Sequence, residues 1–556
     1  MPRSAPAGGV AVREVIVIVL RLPRINRQAR RSLLLAIAAL LLCACGAAPK
    51  TAAPVRRSDM ASIFEAPAQL LGDPAGTLAL LRRLGVDRVR VFVPWNSLAP
   101  QPDSRVRPSG FDAASPAAYP PAGWAAYDAI IRAAAARGVG VILTLEGGAP
   151  LWAAGRDVPG KASSSYQAVW KPSASEYGEF VHAVAVRYSG GYRPGPGAAP
   201  LPRVDFWSVW NEPNYGPQLA PQAIDYSTVE VSPRLYRGLL DAAWSALQAT
   251  GHGSDRVLIG ELAPRGITTG DNPGNFSGMV PLRFVRALYC VDPSLRKLRG
   301  SAAAARGCPT TAAAARAFPQ EHPALFQATG YAVHPYPQGG IPPNTVTPDE
   351  PDYADLAALP RLERLLDRLQ SIYGSAKRFP LYSTEFGYQT NPPETIPRAI
   401  DPRIGAVYSN WAEYLSWRDP RIASWDQYLL TDPPAGNFAT GLLFATGAPK
   451  ALYYAYRMPI FLPVSSVAKG QSLEVWGGVR PARYAAGESH RAQRVKIELR
   501  PAGQRTFTTL RDLLLTDAHG YFDTRLAVPS TGELRLAWTY PNGEQIFSRT
   551  VVVTVR

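Results

Sequence analysis

Along the first 460 residues, short apolar runs alternate with stretches whose apolar positions recur every three to four residues. Apolar runs bounded by Gly, Pro and polar clusters read as strands, and a 3.6-residue repeat reads as a helix. The runs at 62–66, 88–93, 140–145, 204–210, 257–261, 330–334, 380–385 and 422–430 predict eight strands. Between them, amphipathic patterns predict helices that include 124–137, 175–188, 233–249, 356–373 and 405–417. Pro449 is placed to open a last helix over 450–457, because proline is tolerated in a first helical turn. Strands that alternate with helices make a parallel α/β architecture. Eight such units close naturally into a (β/α)8 TIM barrel, whose reactive groups sit at the C-terminal ends of the strands.

After Met458-Pro459 the pattern changes. Runs at 473–479, 494–500, 521–528, 533–540 and 547–555 alternate apolar and polar positions and are separated by Gly, Pro and Asn-Gly turns. They predict a C-terminal all-β sandwich over 460–556, beside a barrel over 59–459. Trp476, Trp538 and Tyr540 offer either core packing or a sugar-stacking platform, and tryptophan in a sandwich is more often core.

Composition narrows the class. A chain of 556 residues exceeds one ordinary core, which agrees with one large domain and a smaller one. The formal charge is +16, but residues 1–44 hold seven arginines and one glutamate, so the remainder carries +10. That charge is scattered, with no basic helix and no alternation of aromatic and basic residues, so nucleic acid is not an expected partner. A solvated surface explains it, with weak attraction to an anionic polymer or lipid surface as the alternative.

The amino terminus has the pattern of an export signal. Arg27, Arg30 and Arg31 precede the apolar run 33–42, which is too short to span a bilayer comfortably. Leu42-Cys43-Ala44-Cys45-Gly46 follows and resembles a bacterial lipobox with Cys45 as the lipidated residue. Ordinary signal-peptidase cleavage near Ala48 is the alternative, and the long stretch before the run leaves the true start codon open. The expectation is a signal over 1–45, an Ala/Pro-rich tether over 46–58, and an exported, lipid-anchored protein acting as a monomer. Two further cysteines, Cys290 and Cys308, lie in an Ala/Arg-rich insertion, and an exported chain can join them in a disulfide. Two cysteines without a nearby histidine pair do not make a zinc site, and no metal or cofactor is expected.

Two motifs carry candidate chemistry. Trp207-Ser208-Val209-Trp210-Asn211-Glu212-Pro213-Asn214 and Tyr382-Ser383-Thr384-Glu385-Phe386-Gly387 each place a glutamate where a barrel strand would end. Carboxylates held ~5–5.5 Å apart can cleave a glycosidic bond, one protonating the leaving oxygen and the other attacking the sugar carbon. A wider gap of ~6.5–9.5 Å would serve an inverting mechanism, which the placement on strands four and seven disfavours.

Asn-Glu-Pro at the end of the fourth strand, with Thr384-Glu385-Phe386-Gly387 at the end of the seventh, resembles the paired signature of clan A glycoside hydrolases, particularly families 5 and 39. The resemblance covers residues 60–460 and implies that Glu212 is the general acid/base, Glu385 the nucleophile, and Asn211 the residue bonded to the sugar 2-hydroxyl. It further implies that Arg90 lies beside the nucleophile, that Tyr336 of His334-Pro335-Tyr336 touches it, and that Trp425 floors the subsite of the reacting sugar. A barrel-mouth ion pair, a core histidine and simple packing are the structural alternatives for Arg90, His334 and Trp425. Glu146, Glu261 and Asp426 also stand near strand ends, where a substrate-contacting or structural role is expected. The substrate implied is an oligosaccharide or polysaccharide; an inactive, surface-anchored glycan-binding lipoprotein on the same barrel is the alternative. The long loops match no pattern that assigns a sugar or distinguishes exo from endo action.

Overall fold

The computed structural model describes residues 60–160, 163–225, 227–267 and 274–556. Cys45, the signal and the tether lie outside the described residues. Eight parallel strands, β1 Ala61–Glu65, β2 Arg88–Pro94, β3 Gly140–Glu146, β4 Phe206–Val209, β5 Arg256–Leu262, β6 Gly330–Val333, β7 Leu381–Ser383 and β8 Ile422–Tyr428, close into a barrel in sequence order. Closure pairs β1 with β8, Ser62 opposite Trp425. The fold is a (β/α)8 barrel followed by antiparallel sheets.

The surrounding helices form where apolar spacing and end signals agree. Pro121–Arg137 starts on a proline and stops at Gly138, whose φ of 65° is the left-handed conformation that glycine adopts without strain. Ser232–Ala249 buries Tyr236, Leu239, Leu240, Ala243 and Leu247 on one face, a 3–4 spacing that seats it against the sheet. Between β5 and β6 an insertion of short helices is closed by the Cys290–Cys308 disulfide. A loop of this size contributes about 3 kcal/mol in the chain-entropy model.

Inside the barrel, Ile63, Ile142, Phe206, Leu258 and Ala332 form a small separate cluster with Tyr382 against it. It is an apolar plug drawn from six strands. Strand side chains alternate between faces, so the next inward position lies two residues on, nearer the C-terminal ends.

The C-terminal part contains a three-stranded sheet and a larger one. In the first, β9 Ile460–Phe461 and the strand Tyr521–Ala527 flank β11 Ser472–Gly478; in the second, β10 Ser466–Val467 lies at one edge and β12 Arg494–Pro501 pairs with Gly532–Thr539 and Thr508–Leu514. Alternation on β11 divides its contacts. Val475 enters the core between the sheets with Val495, Ile497, Leu534 and Trp538. Trp476 faces the barrel, its ring 5.6 Å from Tyr414 and 5.7 Å from Tyr521. Both tryptophans are buried and Tyr540 bonds to Glu488, so these aromatics are packing residues and form no open platform.

The junction with the barrel is also polar. Arg480 pairs with Glu413, both buried, and Tyr521 Oη donates to Glu413 Oε1 at 2.7 Å. His519 Nδ1 lies 2.8 Å from Asp87 Oδ2, and Tyr484 Oη donates to the Val86 carbonyl at 2.6 Å. Truncation after Pro459 therefore removes the Arg480 and Tyr521 partners of Glu413 and uncovers the apolar surface of Tyr414 and Trp417 beside it. The expected result is a barrel that is less soluble and melts earlier, with activity per folded molecule on a small aryl glycoside little changed. An equally stable truncated chain that fails only on polymeric glycan would show the sheets to be a binding module.

Candidate active site

Glu65, Thr144, Ser208, His334 and Thr384 follow the plug residues Ile63, Ile142, Phe206, Ala332 and Tyr382 by two positions. They are buried, and together with Arg90 they form a polar layer above the plug. β5 departs from this alternation. Two positions after Leu258 stands Gly260, at φ 105°, where a Cβ would come within 2.4 Å of the Tyr331 ring. The register with β6 shifts between Ile259 and Leu262, and Glu261 takes φ 46°. The irregularity re-aims one side chain, as bulges do. That side chain is Glu261, which joins the layer.

Arg90 is the hub. Its Nη1 donates to Glu65 Oε1 at 3.0 Å and Glu385 Oε1 at 2.8 Å, and its Nη2 to Asn211 Oδ1 at 2.9 Å and Glu261 Oε2 at 3.1 Å. Nε reaches Thr144 Oγ1 at 2.9 Å. Burial works against the guanidinium charge, but Glu261, Glu65 and Glu385 outweigh it and hold its pKa well above the usual value.

Glu261 accepts from Thr384 Oγ1 at 2.6 Å, His334 Nε2 at 2.9 Å and Ser208 Oγ as well as Arg90. Burial alone would raise its pKa; Arg90 and His334 reverse this and bring it to about 2. Glu65 goes the other way, raised well above the usual range because burial outweighs its single arginine contact. Asp426, on the neighbouring strand, is raised by burial and then by Glu65, and neither of its oxygens has a hydrogen-bond partner. Burial thus pushes these two acids up, whereas Arg90 and His334 hold Glu261 down.

Glu212 and Glu385 face each other across the layer. Tyr336 Oη donates to Glu385 Oε2 at 3.1 Å. His334 Nδ1 donates to Glu212 Oε1 at 2.9 Å and lies 3.4 Å from Glu385 Oε2. Burial lowers the His334 pKa, but Glu385, Glu212 and Glu261 raise it to about 10, so the ring is an imidazolium at neutral pH. One oxygen of Glu212, one nitrogen of His334 and one oxygen of Glu385 all lie within 4.8 Å of one another. Such a trio has the spacing of metal ligands, and an imidazolium must release a proton before it can ligate.

The turn that carries Glu212 is held from both sides. Trp210 and Glu212 adopt φ of 69° and 40°, rarely occupied by residues other than glycine, and such strain persists only where the surroundings over-determine it. Asn214 supplies that restraint: its Nδ2 donates to the Ala263 and Met279 carbonyls and its Oδ1 accepts from Ala263 N.

A cleft of about 720 Å³ opens above the layer and is lined by Glu212, Glu385, Asn211, Arg90 and Tyr336. His334 lies beneath it. Trp425 does not line it; the ring is buried 4.5 Å from Phe386, while Tyr428 and Phe438 supply aromatic wall. Glu146 lines the cleft, with a pKa raised to about 7 by burial.

Linkage gives a pH prediction for His334. Its folded pKa of about 10 exceeds the reference 6.5, so its stabilisation is complete below 6.5 and is lost as pH rises through 10. Denaturant midpoints of the native chain should fall over that window, and His334→Gln should flatten the fall; equal slopes would show that another group is responsible.

No protein-family model matches the chain, and no curated protein matches it. Among solved structures, the chain is similar to a family 39 glycoside hydrolase from Bacteroides cellulosilyticus at 15% identity, covering 85% of this chain and 80% of that one with a TM-score of 0.43. A family 1 β-glucosidase from Thermotoga maritima aligns at 14% identity over 68% and 84% of the two chains, TM-score 0.41. The β-glycosidase of Thermosphaera aggregans aligns at 15% over 67% and 80%, TM-score 0.39.

Proposed function

We propose that this chain is a retaining glycoside hydrolase with Glu385 as nucleophile and Glu212 as general acid/base. The observation that carries the reading is the placement of a Glu212 oxygen within 4.8 Å of a Glu385 oxygen, at the ends of strands four and seven. That closeness of the nearer oxygens supports the ~5–5.5 Å carboxylate gap of a retaining enzyme over the ~6.5–9.5 Å gap of an inverting one. Arg90 and Tyr336 each bond one oxygen of Glu385 and orient it for attack on the anomeric carbon. His334 occupies Oε1 of Glu212, so the proton given to the leaving oxygen sits on Oε2. In the second step Glu212 takes a proton from water as the glycosyl ester breaks.

The test is a screen of aryl glycosides and polysaccharides with the purified mature chain, Glu385→Gln serving as blank, and the first-formed anomer read by proton NMR. Retention is expected. Inversion would remove the mechanism, and binding without turnover would favour a glycan-binding lipoprotein.

The lipobox pattern at Cys45 supports a further reading, attachment to the outer face of a membrane through a lipid, with residues 46–58 as tether. Cys45→Ser should then release soluble protein into the medium. Unchanged membrane fractionation would contradict attachment.

A further inference from the structure

Three guanidinium groups line the cleft, and they differ in one respect. Arg90 is fully engaged by Glu65, Glu261 and Glu385, whereas Arg265 and Arg398 enter no ion pair among the described residues. Arg265 follows the end of β5 and is half-buried; its Nη1 donates to the carbonyls of Tyr336 at 3.3 Å and Pro337 at 2.9 Å. Those contacts tie it to the segment whose tyrosine touches Glu385. Its Nε and Nη2 have no hydrogen-bond partner among the described residues.

Arg398 is exposed but rooted. Residues 389–400 fold back on themselves, with Asn391 N donating to Ile400 O at 2.8 Å and Ile400 N to Gln389 O at 3.0 Å. Arg398 Nε donates to Gln389 Oε1 at 2.8 Å, while the amide of Gln389 is fixed on both oxygens of Glu394. The loop closes on residues 336–340 through Gly340, where a Cβ would lie 2.3 Å from the Ile400 side chain and 2.9 Å from Arg398 O. Neither Nη group has a hydrogen-bond partner among the described residues. Burial lowers the Arg265 pKa and Arg398 adds to this, whereas Asp355, Tyr353 and Glu212 oppose it.

Both guanidinium groups line the one cleft with donors unspent, and the planar guanidinium fork matches the oxygens of an oxyanion. We propose that Arg265 and Arg398 form an anion subsite beside the acid/base, and that the glycan cleaved here carries a carboxylate or sulfate on a sugar next to the scissile bond. The proposal rests on the glycosidase reading for the word "cleaved", but the subsite itself rests on the two arginines. The scattered positive charge of the mature chain would draw such a polymer toward the protein without supplying the specificity.

Binding to the intact chain is measured calorimetrically with paired ligands: galacturonate oligosaccharides against their carboxyl-reduced forms, and sulfated carrageenan oligosaccharides against desulfated ones. The anionic member of at least one pair should bind at least about tenfold more tightly, the equivalent of one charge-assisted contact. Which pair shows the difference distinguishes carboxylate from sulfate. Arg398→Gln and Arg265→Gln should each abolish most of the preference; Arg398 is exposed, so its variant folds even if the other does not. Arg316→Gln makes the same charge change on a residue that does not line the cleft, and should leave the preference intact. Equal binding within every pair, or a preference unaltered by both cleft variants, overturns the subsite. Anion-selective binding with no turnover of any glycoside would instead leave the subsite standing and count against the glycosidase.

Discussion

Glu385→Ala is expected to lower turnover of an aryl glycoside by on the order of 10⁴-fold or more, because the proposed mechanism forms its covalent intermediate on that carboxylate. Arg90 and Tyr336 leave their donors pointed at the vacated position, so added azide should enter there and attack the anomeric carbon from the same face. The product is a glycosyl azide of inverted configuration. Glu212→Ala should cost about 10²–10⁴-fold on substrates with poor leaving groups and far less where the leaving group needs no proton. Azide then attacks the glycosyl-enzyme formed on Glu385, and the product retains its configuration. The two azide products, distinguished by NMR, assign the two roles. The same product from both variants would remove the assignment.

Arg90→Met is expected to have the largest effect on stability. The substitution keeps the apolar stem but leaves Glu65, Glu261 and Glu385 without the cation they share, inside a layer where Arg90, Glu65 and Glu261 are fully buried. Removing one partner of a buried pair typically costs about 3–5 kcal/mol. The loss should depend on pH in a defined direction. Without Arg90 the Glu261 carboxyl can no longer be held at about 2, so the folded variant binds protons that the unfolded chain has released. Its stability therefore rises, relative to the native chain, as pH falls toward 5. Arg90→Lys should recover only part, since a single ammonium cannot span four acceptors on two nitrogens. Denaturant midpoints of the three proteins at pH 5 and 8 test this, and a pH-independent deficit would show that lost packing is the cause.

Much of the barrel was legible in the linear pattern. Each of the eight strands falls within the apolar run that predicts it, to within a residue or two at most ends, because burial on both faces leaves near-continuous apolar runs. The strand-end position of Glu212 and Glu385 was legible for the same reason. The strand Thr508–Leu514 was not, since it is largely exposed and carries no apolar alternation. The run 547–555 also divides in two. Arg549 turns away to bond Asn410 and the Ile460 carbonyl, contacts that no local pattern announces.

The polar layer shows the boundary most clearly. Sequence by itself determined the strand order, the two carboxylates and the positions that face inward, because periodicity and strand ends are properties of neighbouring residues. Tertiary structure alone decided that Arg90 and His334 hold the Glu261 carboxyl down, that burial pushes Glu65 and Asp426 up, and that Trp425 is packed against Phe386. Those outcomes depend on a bulge after Ile259 and on partners as far apart as Arg90 and Glu385, separated by 295 residues. Ionisation follows the balance between burial and neighbouring charge, and both terms exist only once the barrel has closed.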